Sequence, residues 1–169
     1  MKRPLIILVC LGLALGLAAA LWIYNSAPST GAGVVINGTA APPVPVLHAE
    51  RVIQGKALYA RYCAECHGAN LEGQPNWRQR LPDGSLPAPP HDNGGHTWHH
   101  SDEVLLYIVA DGGLAFSADS KMPAFQATLT EEEMAAVLDF IKNAWGRQER
   151  EYQWWMTATR TDAGAIPQP

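Results

Sequence analysis

The feature that most constrains this chain is the motif Cys63-Ala64-Glu65-Cys66-His67, two cysteines separated by two residues with a histidine directly after the second. Two thiols one helical turn apart can each bond to a vinyl group on the same edge of a porphyrin. The adjacent imidazole then lies under the ring, where it can bind the iron. The motif therefore predicts one covalently bound haem c, attached through Cys63 and Cys66, with His67 as an axial iron ligand.

Other interpretations of this motif fit the chain less well. A thioredoxin-like redox pair needs a βαβ context, which the sequence does not indicate. A zinc site needs more ligands than two thiolates and one crowded imidazole. Because the whole chain has only three cysteines, a chance occurrence of the motif is also improbable.

The N-terminal segment predicts export from the cytoplasm. Lys2 and Arg3 precede residues 5–24, which carry no charge and as a helix would reach about 30 Å, the thickness of a bilayer core. We therefore expect a membrane anchor over residues 1–25 with the haem domain in the periplasm. The alternative is a cleaved signal peptide with small residues at Ala18–Ala20, which would leave a soluble periplasmic protein.

Composition divides the remaining chain into three parts. Residues 26–47 are uncharged and rich in Pro, Gly and Ala, which predicts a semi-flexible tether, with only Val34–Ile36 fitting an ordered edge. Residues 48–156 are interpreted as the globular domain, and residues 157–169 as a disordered tail.

Three helices are predicted within the domain. The first covers Glu50 to Tyr62, and the second follows Ser101 and ends at Gly112. The third starts with a capping box formed by Thr130 and Glu133. No strand pattern is found, so we expect an all-α fold with three main helices around the haem and long irregular loops.

The candidates for the second axial ligand of the iron are the methionines and the remaining histidines. Met122 lies in a loop just before the third helix and is followed by Pro123, which stiffens it. A thioether favours reduced iron and raises the potential. Met134 and Met156 fall on helices, where packing or surface roles suit them better. Met122 is therefore favoured, and histidines such as His96 and His100 are the alternatives.

From about residue 50 to residue 147 the chain resembles the class I c-type cytochromes. The resemblance is carried by Gly55 with Tyr59, by residues 63–68, by Met122 with Pro123, and by the amphipathic last helix. It implies that His67 and Met122 are the axial ligands. It also implies that the first and last helices cross closely at Gly55.

Further details follow from the same resemblance. Gly55 and Tyr59 are expected to pack near Leu138 to Trp145. A proline carbonyl after the haem motif is expected to accept the N–H of the proximal imidazole, and Pro75 is the nearest candidate.

The resemblance also implies a function, that of a one-electron carrier rather than an enzyme, because filled axial positions open no substrate site. Its expected partners are redox proteins of the respiratory chain. The protein is also expected to contact the membrane through residues 5–24. Similar single-haem domains occur as subunits of oxidases and dehydrogenases. The formal net charge of −4 gives no basic surface for nucleic acid.

A histidine-rich loop keeps two other functions open. Ten residues of this loop contain four histidines, His91, His96, His99 and His100, as in tracts that bind copper or zinc. If the loop binds copper, the chain would be a haem-containing copper-handling protein. Alternatively these histidines, with Trp77 and Arg78, bond haem propionates or face solvent. A ligand-binding haem enzyme or sensor is the third hypothesis, in which Met122 dissociates from the iron.

Overall fold

The computed structural model describes residues 31–160, which are mostly helical and include one small hairpin. The elements are β1 (Val34–Ile36), β2 (Thr39–Ala41), α1 (Ala49–Tyr62), α2 (Ala64–His67), α3 (Asp102–Asp111), α4 (Gly113–Phe116), α5 (Glu131–Asn143) and α6 (Arg147–Thr159), with a 3₁₀ turn at Thr97–His99. The predicted all-α class with three main helices is confirmed, since α1, α3 and α5 correspond to them.

Side-chain caps fix the starts of two of these helices. Ser101 Oγ accepts the Val104 N–H at 3.4 Å, which begins α3. Thr130 Oγ1 accepts the Glu133 N–H at 3.2 Å, and the Glu133 carboxylate accepts the Thr130 N–H at 2.9 Å. The predicted capping box is therefore present at the start of α5.

Helices α1 and α5 cross in close contact at Gly55. A Cβ atom on Gly55 would overlap the Ala136 carbonyl oxygen, so only glycine lets the two backbones approach this far. One turn later Tyr59 packs on Phe140, with 5.2 Å between ring centroids. Tyr59 also belongs to the core cluster that includes Leu138 and Trp145. The crossing is thus where the resemblance places it, since Gly55 lies against both Ala136 and Phe140 of α5.

The prediction of a semi-flexible tether over residues 26–47 is wrong for residues 34–44, where order extends beyond the Val34–Ile36 edge. Strands β1 and β2 pair antiparallel around Asn37 and Gly38, whose φ angles of 51° and 77° form a tight hairpin turn. Val34, Ala41 and Val44 are buried against Trp155 and Met156 of α6. The segment is ordered because α6 supplies an apolar face that the hairpin covers.

Tryptophan side chains of α6 also bond to this segment. The Trp155 indole N–H donates to the Thr39 carbonyl at 3.0 Å, and the Trp154 indole N–H donates to the Pro42 carbonyl at 2.8 Å. These bonds give both indole N–H groups an acceptor and hold the hairpin against α6.

The C-terminal boundary also differs from the prediction. Helix α5 ends at Asn143, and Gly146, with extended backbone, separates it from α6. Helix α6 continues to Thr159, three residues into the predicted tail. Residues 1–30 and 161–169, which contain the predicted membrane segment, lie outside the described residues. From residue 31 to residue 160, no helix combines the length and the apolar character needed to cross a membrane.

Candidate functional site

The two thiols and His67 are brought together by one short helical turn. Cys63 caps the end of α1, and its N–H donates to the Tyr59 carbonyl at 2.9 Å. The His67 N–H then donates to the Cys63 carbonyl at 2.9 Å across α2. Gly68, with φ of 81°, ends the turn. The spacing of the motif is therefore realised as a single compact turn.

Both thiols are available for attachment. Cys63 and Cys66 form no disulfide; Cys66 is exposed, whereas Cys63 is partly buried against the core cluster of Tyr59 and its neighbours. Burial, with a smaller effect of Cys66, raises the pKa of the Cys63 thiol to about 11.

The His67 imidazole is buried and oriented by a backbone carbonyl. Its Nδ1 lies 2.8 Å from the Pro89 carbonyl oxygen, and since that oxygen can only accept, Nδ1 carries the hydrogen. Burial lowers the pKa of His67, while the bond to Pro89 opposes this effect. A neutral ring with Nδ1–H bonded presents its Nε2 lone pair for a metal.

The prediction that the Pro75 carbonyl accepts the His67 ring N–H is wrong, because the Pro89 carbonyl accepts it. The intervening loop folds back on itself, with the Gln74 N–H donating to the Ala88 carbonyl at 2.9 Å. Gly73, with φ of 67°, lies so close to Pro89 and Pro90 that a Cβ atom there would overlap them. The loop therefore places Pro89 beside His67, whereas Pro75 lies in the turn at residues 75–78.

Tyr59 connects the helix crossing to the motif. Its hydroxyl donates to the Gly68 carbonyl at 3.0 Å, directly after His67. Burial, followed by the charges of Cys63 and Glu72, raises the pKa of Tyr59, so the hydroxyl stays protonated and remains a donor. The packing of α1 on α5 thereby helps to fix the turn that carries His67.

Met122 lies in a separate, partly buried loop that is fixed at its backbone. The Met122 carbonyl accepts the Gly113 N–H at 3.0 Å, and the Met122 N–H donates to Ser120 Oγ at 3.2 Å. A Cβ atom on Gly112 or Gly113 would collide with this loop, so the glycine pair after α3 is needed for its approach. These contacts link Met122 to α4 and not to the turn of Cys63 and His67.

Two ion pairs that the sequence analysis missed join the Met122 loop to residues 80–86. Arg80 bonds Asp119 at 2.6 Å, and Lys121 pairs with Asp83. The Lys121 bond, aided by Ser85, holds the pKa of Asp83 below its usual range. The partners are separated by 38 and 39 residues, so no local pattern marks them.

Apolar side chains are exposed in the same region. Leu81, Leu86, Leu114 and Phe116 are 43%, 39%, 67% and 38% exposed. Leu86 donates its N–H to the Asp119 carbonyl at 3.3 Å, and α4, which carries Leu114 and Phe116, bonds to Met122. Apolar exposure of this kind is typical of a surface that another group covers. The donor set that a haem c group needs, two thiols and an oriented imidazole, is present on the turn of Cys63 to His67.

The loop histidines are engaged by aromatic rings. His96 stacks on Trp77 with 5.4 Å between centroids, and the Arg78 guanidinium lies 4.3 Å from the Trp77 ring centre. His99 stacks on Trp98 at 3.7 Å. Within residues 31–160 no group of three or more His, Cys, Asp or Glu side chains is placed to hold a metal ion.

Comparison with protein families gives one match. A family model described as "Cytochrome C oxidase, cbb3-type, subunit III" matches residues 50–141, just over half of the chain. The matched stretch contains the turn of Cys63 to His67, the helix crossing and the Met122 loop. Searches of curated proteins and of solved structures gave no match. The chain therefore belongs to the cbb3-type cytochrome c oxidase subunit III family and contains an electron-transferring cytochrome c domain with covalently bound haem c.

Proposed function

We propose that this protein is a one-electron carrier whose haem c iron is bound by His67 and Met122 and which exchanges electrons with a membrane respiratory complex. The observation that carries this proposal is the buried His67 ring, whose Nδ1–H donates to the Pro89 carbonyl at 2.8 Å and leaves Nε2 for the iron. Met122 supports it as a soft donor in a loop fixed at Gly113 and Ser120. The family match supports a respiratory context.

The chain's own residues account for how such a carrier would work. Haem iron, when bound, supplies the one-electron chemistry. Cys63 and Cys66 would hold the group covalently, and His67 and Met122 would supply the two protein ligands to the iron, which would leave no iron position open for a substrate. The bond from His67 to Pro89 and the ion pair of Arg80 with Asp119 restrain the two ligand-bearing loops. Restrained loops would keep the His67 and Met122 side chains in place during one-electron transfer, which would favour a rapid reaction.

The wild-type spectrum tests this function. We expect the oxidised protein to be low-spin with a methionine–iron charge-transfer band, and the reduced protein to bind carbon monoxide poorly, because both axial positions are filled. Absorption spectroscopy before and after carbon monoxide addition checks this. A five-coordinate spectrum with ready carbon monoxide binding would instead favour the ligand-binding enzyme or sensor.

We further propose that residues 5–24 anchor the protein in the cytoplasmic membrane with the haem domain in the periplasm. The support is the uncharged run of 20 residues after Lys2 and Arg3, which is long enough to span a bilayer. The haem-stained protein should stay in the membrane fraction after a carbonate wash and should retain residue 1 by mass spectrometry. Recovery of a shorter chain in the soluble periplasmic fraction would show that the segment is a cleaved signal peptide.

A further inference from the structure

His91 is fixed in place on several sides although nothing in the proposed electron carrier uses it. Its N–H donates to the Leu71 carbonyl at 2.8 Å, and its carbonyl accepts the Trp145 indole N–H at 2.7 Å. Its ring Nδ1 lies 2.8 Å from Thr97 Oγ1. Bonds at the backbone and at the ring leave this side chain little freedom to rotate, so His91 is a rigid element of the loop.

The rigid ring lies against His67. The two imidazoles stack with 4.1 Å between centroids and 22° between planes, and the edge of Tyr59 meets His91 at 6.3 Å. Pro89, which accepts the His67 Nδ1–H, is only two residues before His91. One short segment therefore bonds the edge of the His67 ring and also covers its face.

These two contacts restrain different motions. The hydrogen bond to Pro89 fixes the tautomer of His67 and the direction of one ring nitrogen. A hydrogen bond tolerates angles away from linear, so it still allows some rotation of the ring plane. A flat partner fixed against the ring face does stop this rotation, because a turned ring would collide with it.

We propose that His91 is a positioning residue that sets the plane of the His67 ring relative to the haem through this stack. The inference rests on the proposed function, since it requires His67 to be an axial ligand. A flat side chain at position 91 is what matters here, and an aliphatic side chain of similar volume would fill the space without orienting the ring.

The proposal is tested with the intact holoprotein by proton NMR of the oxidised state. The unpaired spin displaces the haem-methyl resonances in a pattern that depends on the plane of the axial imidazole. We expect His91→Leu to change this pattern and His91→Phe to keep the wild-type order, because phenylalanine still stacks. The matched control is His99→Leu, which removes an exposed histidine of the same loop that stacks on Trp98, and should leave the pattern unchanged.

Several outcomes would overturn the proposal. A wild-type pattern in His91→Leu would do so, as would an equal change in His91→Phe or in His99→Leu. If His91→Leu does not yield holoprotein, His91→Met is judged by the same criterion, since its flexible side chain fills the space but is not flat. A wild-type spectrum without histidine ligation would overturn the proposed function as well, so the two failures are distinguishable.

Discussion

Replacing Met122 with alanine is expected to lower the reduction potential and to open the iron to external ligands. A thioether stabilises reduced iron, and water or a vacant position in its place does so less. Axial ligands set haem potentials over a range of about 0.8 V, and we expect a decrease on the order of 0.2 V. Potentiometric titration measures the shift, and carbon monoxide binding by the reduced protein reports the opened position.

Two variants control this experiment. Met134→Leu alters a buried methionine on α5 that packs in the core, and it should leave the charge-transfer band and the potential unchanged. Met122→His should restore a six-coordinate spectrum at a lower potential than wild type. If Met122→Ala keeps the wild-type spectrum and potential, then another residue, such as His96 or His100, is the distal ligand.

Replacing Gly55 with alanine is expected to destabilise the fold despite the better helix propensity of alanine. A Cβ atom here meets the Ala136 carbonyl, which is backbone and cannot rotate away, so α1 and α5 must separate. Overpacking of this kind typically costs about 1–3 kcal/mol, occasionally more. The gain in propensity is only about 1 kcal/mol. Because the overlap is with backbone, the cost lies at the upper end of this range, and we expect a net loss on the order of 2 kcal/mol. Guanidinium unfolding of the holoprotein, followed by circular dichroism, measures this loss.

The neighbouring exposed residue provides the control for this prediction. Lys56→Ala changes the same turn of α1 without meeting α5, and its free energy of unfolding should stay within about 0.5 kcal/mol of wild type. Gly55→Ala with wild-type stability or better would show that the two helices do not depend on close approach at this position.

The parts of the fold that the sequence predicted are those marked by local chemistry. The motif from Cys63 to His67 specifies its turn within five residues, and the Thr130–Glu133 capping box specifies the start of α5 within four. The Asn37-Gly38 pair is also a local signal, typical of a two-residue hairpin, although the prolines and glycines around it are typical of a tether.

The missed features depend on residues that are distant in the chain. The hairpin is ordered by Trp155, whose indole reaches Thr39 over 116 residues, so the partner that decides its structure cannot be seen locally. Pro89 rather than Pro75 bonds to His67 because the loop after the motif pairs Gln74 with Ala88 and so brings residue 89 back to the histidine. The proline nearest to His67 in sequence is therefore not the one whose carbonyl accepts the imidazole N–H.

If the protein is anchored in a membrane as proposed, the ordered hairpin would limit how far the haem domain can move from the bilayer. The proposed span ends at residue 24, so only residues 25–30 lie between it and residue 31, where the described part of the chain starts. Six residues reach at most about 20 Å even when fully extended. A freely moving tether of residues 26–47 would have allowed a much wider excursion. The carrier would then meet only those partners whose electron entry or exit points lie close to the bilayer surface.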